Sequence, residues 1–221
     1  MPTDLARSAP SDATVVTAPD PRACERAGKR VIDLLGSAVL ILLLSPLFLT
    51  LTCLILLVDG VPVIYRRRVV GPRGEFDAYK FRTMIRDADA VLAANAQLSE
   101  AFAQQFKLRS DPRVTRLGAW LRKYSLDELP QLINVLKGQM SLVGPRMITS
   151  AELQKYVPHG ALLLTVKPGI TGYWQVEGRQ EVSYTERVRM DVYYITNWSL
   201  WLDLKILLRT PWKIIRTQGA Y

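Results

Sequence analysis

Two adjacent carboxylates, Asp127 and Glu128, stand at the head of an apolar helical pattern in the run Arg122-Lys123-Tyr124-Ser125-Leu126-Asp127-Glu128-Leu129-Pro130-Gln131-Leu132. A helix N-terminus favours the ionised form of such groups, and an ionised aspartate can serve as a nucleophile or a metal ligand. A purely structural reading competes: Ser125 and Glu128 match the S-x-x-E capping box, which gives both residues a helix-starting role. Pro130 suits a first helical turn better than a later one, so the register of the start stays open. In either register both carboxylates lie near the same helix end.

The same portion of the chain is rich in cations, among them Lys80, Arg82, Arg113, Arg116, Arg122, Arg146 and Arg179. Many long charged side chains are simply solvated. Several of these, however, follow turn formers, as in Val143-Gly144-Pro145-Arg146 and Glu177-Gly178-Arg179, where a rigid loop can aim a planar guanidinium at phosphate oxygens. Cations around a carboxylate pair point to a phosphorylated substrate with a divalent cation. No Walker or Rossmann glycine pattern is present. With one histidine, His159, and two cysteines, Cys24 and Cys53, neither a Cys/His metal site nor a disulfide framework can be assembled.

The elements that must position these groups follow from composition. The chain has 221 residues and a formal charge of +9 from 29 basic and 20 acidic residues, yet is 49% hydrophobic and only 22% charged. That is too apolar for a disordered polycation, so the charge is expected to meet a particular anionic surface or ligand. Residues 1–25, with Pro2, Pro10, Pro19 and Pro21 and no apolar periodicity, read as a disordered tail without a secretory signal.

Leu34 to Val58 carries no charge and is long enough to cross a bilayer as one helix. Arg26, Lys29 and Arg30 precede it and Arg66, Arg67 and Arg68 follow it, so the positive-inside preference pulls both ends to one face. Ser45-Pro46 near the midpoint favours a bend, leaving limbs of about 12 residues, each too short to cross alone. A re-entrant helix over residues 26–60 fits these charges better than a span; a kinked span is the alternative.

Residues 61–221 read as a catalytic domain, mostly α with a small β hairpin (α+β). Strands are expected at Val61–Tyr65 and Glu75–Phe81, and helices at Asp87–Lys107, Leu117–Lys123, Leu129–Leu136 and Tyr184–Ile195. Trp198 to Arg216 is amphipathic and basic, with Pro211 expected to split it into two short helices. Its tryptophans suit interfacial helices on an anionic bilayer, and packing on the domain core fits the pattern equally well.

Five motifs then make the chain recognisable: Lys80-Phe81-Arg82-Thr83-Met84, Asp111-Pro112-Arg113-Val114-Thr115, Ser125 to Leu132, Met140-Ser141-Leu142-Val143-Gly144-Pro145-Arg146, and Lys167-Pro168-Gly169-Ile170-Thr171-Gly172. In this order they resemble the bacterial sugar transferases, monotopic polyprenyl-phosphate phosphoglycosyl transferases. The resemblance covers about Lys29 to Tyr221. It is strongest to the exopolysaccharide-priming members that act as undecaprenyl-phosphate galactose phosphotransferases.

The resemblance implies that Asp127 attacks the β-phosphorus of a UDP-sugar, releasing UMP and forming a covalent phosphosugar-aspartate. Hexose-1-phosphate, galactose or glucose, then passes to undecaprenyl phosphate. Glu128 with Asp127 would hold Mg2+, while Lys80, Arg122, Arg146 and Arg179 match phosphate or nucleotide contacts. Arg82 joins them from the first motif, and Ser45-Pro46 matches the bend of a re-entrant helix. The implied location is the cytoplasmic face of the bacterial inner membrane. Expected partners are a UDP-sugar, undecaprenyl phosphate and anionic membrane lipid, with no nucleic acid; a homodimer stays open.

Met147 departs from the family, which usually continues Gly-Pro-Arg with proline, and Tyr173-Trp174-Gln175 does not diagnose the sugar. Two other classes compete. One is a glycosyltransferase that releases UDP. The other is a membrane-tethered basic module that binds anionic lipid or nucleic acid without catalysis and has no need of the carboxylate pair.

Overall fold

The computed structural model describes residues 23–105, 108, 111–178 and 182–216. Residues 1–22 of the expected tail lie outside these, as does Arg179. The described chain is mostly helical with two small sheets.

Helices α1 (Ala23–Leu43) and α2 (Ser45–Val58) form an apolar hairpin bent by 61° at the Ser45-Pro46 step named from sequence. Pro46 sits in the first turn of α2, where its missing N–H costs nothing, and the Ser45 hydroxyl donates to the Leu42 carbonyl at 2.8 Å. Neither helix alone is long and apolar enough to cross a membrane, although the bent pair together has the length and composition. Leu42, Leu43, Leu49 and Leu57 are largely exposed, so among the described residues none covers the elbow or the outer side of α2.

The base of α1 is built differently. Lys29 Nζ donates to Asp203 Oδ2 at 2.6 Å and to the Val143 carbonyl at 2.9 Å, and the Arg30 guanidinium donates to the Val135 and Leu136 carbonyls. Buried Asp33 accepts from the Ser141 hydroxyl and the Leu142 N–H, both at 2.9 Å. Lys29 and Arg30, read from sequence only as flanking charges, therefore root the hairpin in the rest of the molecule.

Strands β1 (Ile64–Gly71) and β2 (Gly74–Phe81) pair antiparallel with Ile64 opposite Phe81. The first strand lies later than the expected Val61–Tyr65, because cross-strand pairing takes in the three arginines; Arg68, for example, pairs with Glu75 and Asp77. A second, parallel pair joins β3 (Ser141–Val143), not anticipated, to β4 (Gly169–Thr171), which lies where the Gly and Pro residues of Lys167 to Gly172 suit a turn or strand.

The expected helix from Asp87 is two helices, α3 (Ala88–Ala94) and α4 (Ala96–Gln105), broken where Asn95 Oδ1 accepts the Leu98 N–H at 3.1 Å. Its end at Phe106 and Lys107 lies outside the described residues. Next come α5 (Arg116–Lys123), a 3-10 turn (Leu126–Glu128) and α6 (Gln131–Leu136). They are followed by α7 (Ser150–Leu153), α8 (Gly160–Leu163), α9 (Tyr173–Glu177), α10 (Tyr184–Thr196) and α11 (Leu200–Arg216).

Pro211 does not split α11, contrary to expectation. Ile206 and Asp203 are buried beneath the helix, and the Thr210 hydroxyl takes up the Ile206 carbonyl at 2.7 Å, so tertiary packing carries it through the proline. Its outer stripe, Trp201, Leu204, Leu208 and Trp212, is exposed.

The main core joins the hairpin sheet (Val69, Phe76, Ala78) to α6, β3 and α11 (Leu132, Val135, Leu142, Ile206). A second cluster packs α2 (Leu51, Ile55) on Phe81 and Leu121. A third gathers Ile148, Tyr156, Leu163 and Val188.

Candidate functional site

Ser125 is the only non-glycine residue with positive φ (54°) among the described residues, and it turns the chain sharply after α5. In this left-handed conformation, which costs a β-carbon residue about 1 kcal/mol or more, its side chain caps nothing. The expected Ser125–Glu128 capping box is therefore absent. The box forms instead between Thr149 and Glu152 at α7. Freed from capping, Asp127 and Glu128 occupy the 3-10 turn that leads into α6, and Asp127 is 6% exposed.

Alternation along the hairpin brings a cation to them. Phe76 and Ala78 face the main core, so Lys80, two residues on, leaves β2 on the same face. Its ammonium donates to Glu128 Oε1 at 2.6 Å and lies 3.6 Å from Asp127 Oδ2. Asn134 of α6 fixes this geometry: its side chain accepts the Tyr79 N–H at 3.0 Å and donates to the Asp77 carbonyl at 2.7 Å. The strand that carries Lys80 and the helix behind the carboxylates are thus locked together.

The two acids differ in electrostatics. Burial pushes the Asp127 carboxyl up, against the pull of Lys80, while Glu128 adds to the rise. Burial also opposes the charge on Glu128, but the Lys80 ion pair, with Arg146 and Arg67 behind it, holds that carboxyl below its ordinary value. The pair therefore combines a firmly ionised Glu128 with a more basic Asp127.

Arg122 reaches the same region. Its Nε donates to the Thr83 hydroxyl at 2.9 Å; burial lowers its pKa and the charge of Asp127 opposes that loss. Helix α5 comes close enough because Gly118 has no β-carbon: one placed there would lie 2.0 Å from the Thr83 carbonyl oxygen.

Arg146 follows a loop in which a β-carbon on Gly144 would lie 2.5 Å from the Lys167 carbonyl oxygen. Its own N–H donates to Asp191 Oδ1 at 3.2 Å, and its guanidinium sits 5.3 Å from the Trp174 ring centre. Met147 is buried in the main core.

Lys80, Arg122 and Arg146 thus surround the carboxylates. Arg82 goes elsewhere: its Nη2 donates to the Asp59 and Gly60 carbonyls at the end of α2, with the Gly60 contact at 2.8 Å. Arg113 is also committed, to a two-pronged pair with Asp111 at 2.8 and 2.7 Å.

Three contributors escaped the sequence reading. Arg67 faces inward opposite Ala78, acts on Glu128 and pairs with Glu152 at 3.0 Å; the alternation Arg67-Val69-Gly71 could have revealed it. Asn134 and Arg187 carry no local signal, since their partners lie far away in sequence. Arg187 is held 4.7 Å over Trp174 and 5.6 Å from the Tyr184 ring centre.

No group of three or more His, Cys, Asp or Glu gathers among the described residues. A magnesium ion does not require one, because it is commonly held by one or two carboxylates with substrate phosphates and water. Asp127 and Glu128 meet that donor set, with Glu128 Oε2 not engaged by Lys80.

Buried Asp127 and half-buried Glu128, with cations around them beside the apolar hairpin, have the chemistry to receive an anionic ligand. The chain belongs to the bacterial sugar transferase family, whose profile matches residues 24–217. It is 46% identical over 198 residues to the undecaprenyl-phosphate galactose phosphotransferase of Salmonella typhimurium, covering 87% of this chain and 41% of that protein. It is 44% identical over 198 residues to the exopolysaccharide production protein ExoY of Rhizobium meliloti, covering 87% and 88%. The UDP-glucose:undecaprenyl-phosphate glucose-1-phosphate transferase of Caulobacter vibrioides is 40% identical over 212 residues, covering 92% and 75%. The chain thus spans about two fifths of the Salmonella protein and most of the other two.

Proposed function

We propose that this protein transfers galactose- or glucose-1-phosphate from a UDP-sugar to undecaprenyl phosphate, the priming step of exopolysaccharide assembly. The observation that carries the reading is the Lys80 ammonium shared between Asp127 and Glu128 at the foot of an exposed apolar hairpin.

Asp127 attacks the β-phosphorus through a carboxylate oxygen. The bond from that phosphorus to the bridging oxygen breaks, and its electron pair leaves with UMP. An oxygen of the lipid phosphate then attacks the same phosphorus and expels the Asp127 carboxylate, giving the lipid diphosphate sugar. Burial makes Asp127 a better nucleophile than a solvated aspartate, and Lys80 offsets the negative charge gathered at the dyad. Glu128 and Asp127 would hold magnesium, which neutralises diphosphate charge when bound.

The hairpin enters the cytoplasmic leaflet and returns, while the outer stripe of α11 rests among the headgroups. The bend, the cations at both ends and the exposed tryptophans support this placement.

The test is intact-mass analysis of protein incubated with UDP-galactose or UDP-glucose and magnesium, without lipid. A gain of one hexose phosphate accompanied by UMP is expected. Asp127→Asn should abolish both and reduce turnover by at least about a thousandfold. UDP as the product, or wild-type turnover by Asp127→Asn, would refute the covalent route.

A further inference from the structure

Beyond Arg146, the site continues into a cluster in which several buried polar atoms find no hydrogen-bond partner. Arg146 Nε, Arg187 Nε, Trp174 Nε1 and the Tyr184 hydroxyl are all buried without a hydrogen-bond partner. They are gathered around the Trp174 ring, with one guanidinium 4.7 Å and the other 5.3 Å from its centre. Tyr184 lies within 5.6 Å of the Arg187 guanidinium and is held edge-on against Tyr156.

Guanidinium and indole N–H groups donate and cannot accept, so the missing partner must be rich in acceptors. Two of the groups are cations, so it must also be an anion. Neither Arg146 nor Arg187 forms an ion pair among the described residues, whereas Arg67 next to them is satisfied by Glu152. The neighbouring carboxylate, Asp191, spends its two oxygens on the Arg146 backbone N–H and the Tyr156 hydroxyl. Leaving several donors buried and unmet is costly, and four at one place are explained by a ligand that meets them.

We propose that Arg187 and Tyr184, with Arg146 and Trp174, form a clamp for the phosphate of the nucleotide that departs from the sugar donor. This rests on the transfer reading given above. Arg146 links the two places, since its charge acts on Glu128 on one side and on Arg187 on the other. When the phosphorus–oxygen bond breaks, the leaving phosphate gains one unit of negative charge, and fixed donors beyond the dyad stabilise it.

The position favours the nucleotide over the lipid phosphate. The clamp borders the core of Ile148, Tyr156, Leu163 and Val188, to which neither α1 nor α2 contributes. The hairpin packs on Phe81 and Leu121 and, through Ile41 and Phe48, on the main core.

Titration calorimetry of UMP against the full chain in lipid nanodiscs tests the clamp. Arg187→Gln should raise the UMP dissociation constant at least about tenfold, and Tyr184→Phe about threefold. Tyr184→Phe keeps the ring against Tyr156, so it should remain folded, and losing an unmet hydroxyl should leave its thermal midpoint unchanged or higher. Undecaprenyl phosphate binding, followed in the same discs by native mass spectrometry, should not change.

Unchanged UMP affinity in both variants, no UMP binding by the wild type, or weakened lipid binding in place of the UMP effect would each overturn the clamp. Arg187-dependent UMP binding without any covalent adduct on Asp127 would uphold the clamp while refuting the transfer route.

Discussion

The cations on the two sides of the carboxylate pair are held in opposite ways. Toward α2, Lys80, Arg122 and Arg82 each have a named partner: the dyad, the Thr83 hydroxyl and the carbonyls that end α2. Toward α10, Arg146 and Arg187 lean on the face of one tryptophan, with no ion pair among the described residues and the through-space charge of Asp191 near them. The first side spends most of its hydrogen bonds within the fold, although Arg82 Nε and Nη1 stay unmet, and its Lys80 and Arg122 set the state of the acids. On the second side the proposed clamp leaves the unmet donors to a bound phosphate. Similar numbers of basic residues thus do different jobs, and pairing distinguishes them where composition cannot.

Removing the shared counter-ion should break the first side most severely. Lys80→Met leaves buried Asp127 beside half-buried Glu128 without their shared cation, and UMP release should fall by about a thousandfold; a loss of less than tenfold would mean that Arg122 already supplies the needed charge.

The second side can be sharpened through Asp191, whose carboxyl burial pushes up to about 6. The folded state therefore holds that proton more tightly than the unfolded chain. This contribution to stability is complete below about pH 4 and is lost as pH rises through about 6. Asp191→Asn should remove that slope, and denaturant titrations between pH 4 and pH 8 should show a difference of up to about 3 kcal/mol in pH dependence from the wild type.

Arg82→Met should have the smallest effect. Freeing the end of α2 from its guanidinium should cost about 2 kcal/mol and expose the Asp59–Gly60 junction to limited proteolysis, with the dyad intact. Equal loss of UMP affinity would erase the distinction between the two sides.

Local grouping was legible and tertiary assignments were not. Proline geometry alone located the hairpin bend at Ser45-Pro46, and the family motifs singled out the dyad together with Lys80, Arg122 and Arg146. The capping-box reading failed because Ser125 takes a left-handed turn, which a serine's type does not announce. Arg82 shares a motif with Lys80 but leaves the strand toward α2, a consequence of where the pleat ends. Arg67 was hidden in a run of three arginines, since only the strand frame tells which one faces inward. Pro211 misled because burial of Asp203 and Ile206 outweighs the local helix break.

Gly118 turns α5 into a ruler. Its zero is the contact with the Thr83 carbonyl, and its mark is Arg122, about 6 Å further along the helix axis. Thr83 is also the residue whose hydroxyl receives Arg122, so one short segment after β2 is both the origin of the scale and the object measured. A single added methyl group at position 118 moves the zero rather than the mark. The charge would then be displaced from Asp127 although every residue that touches it is unchanged.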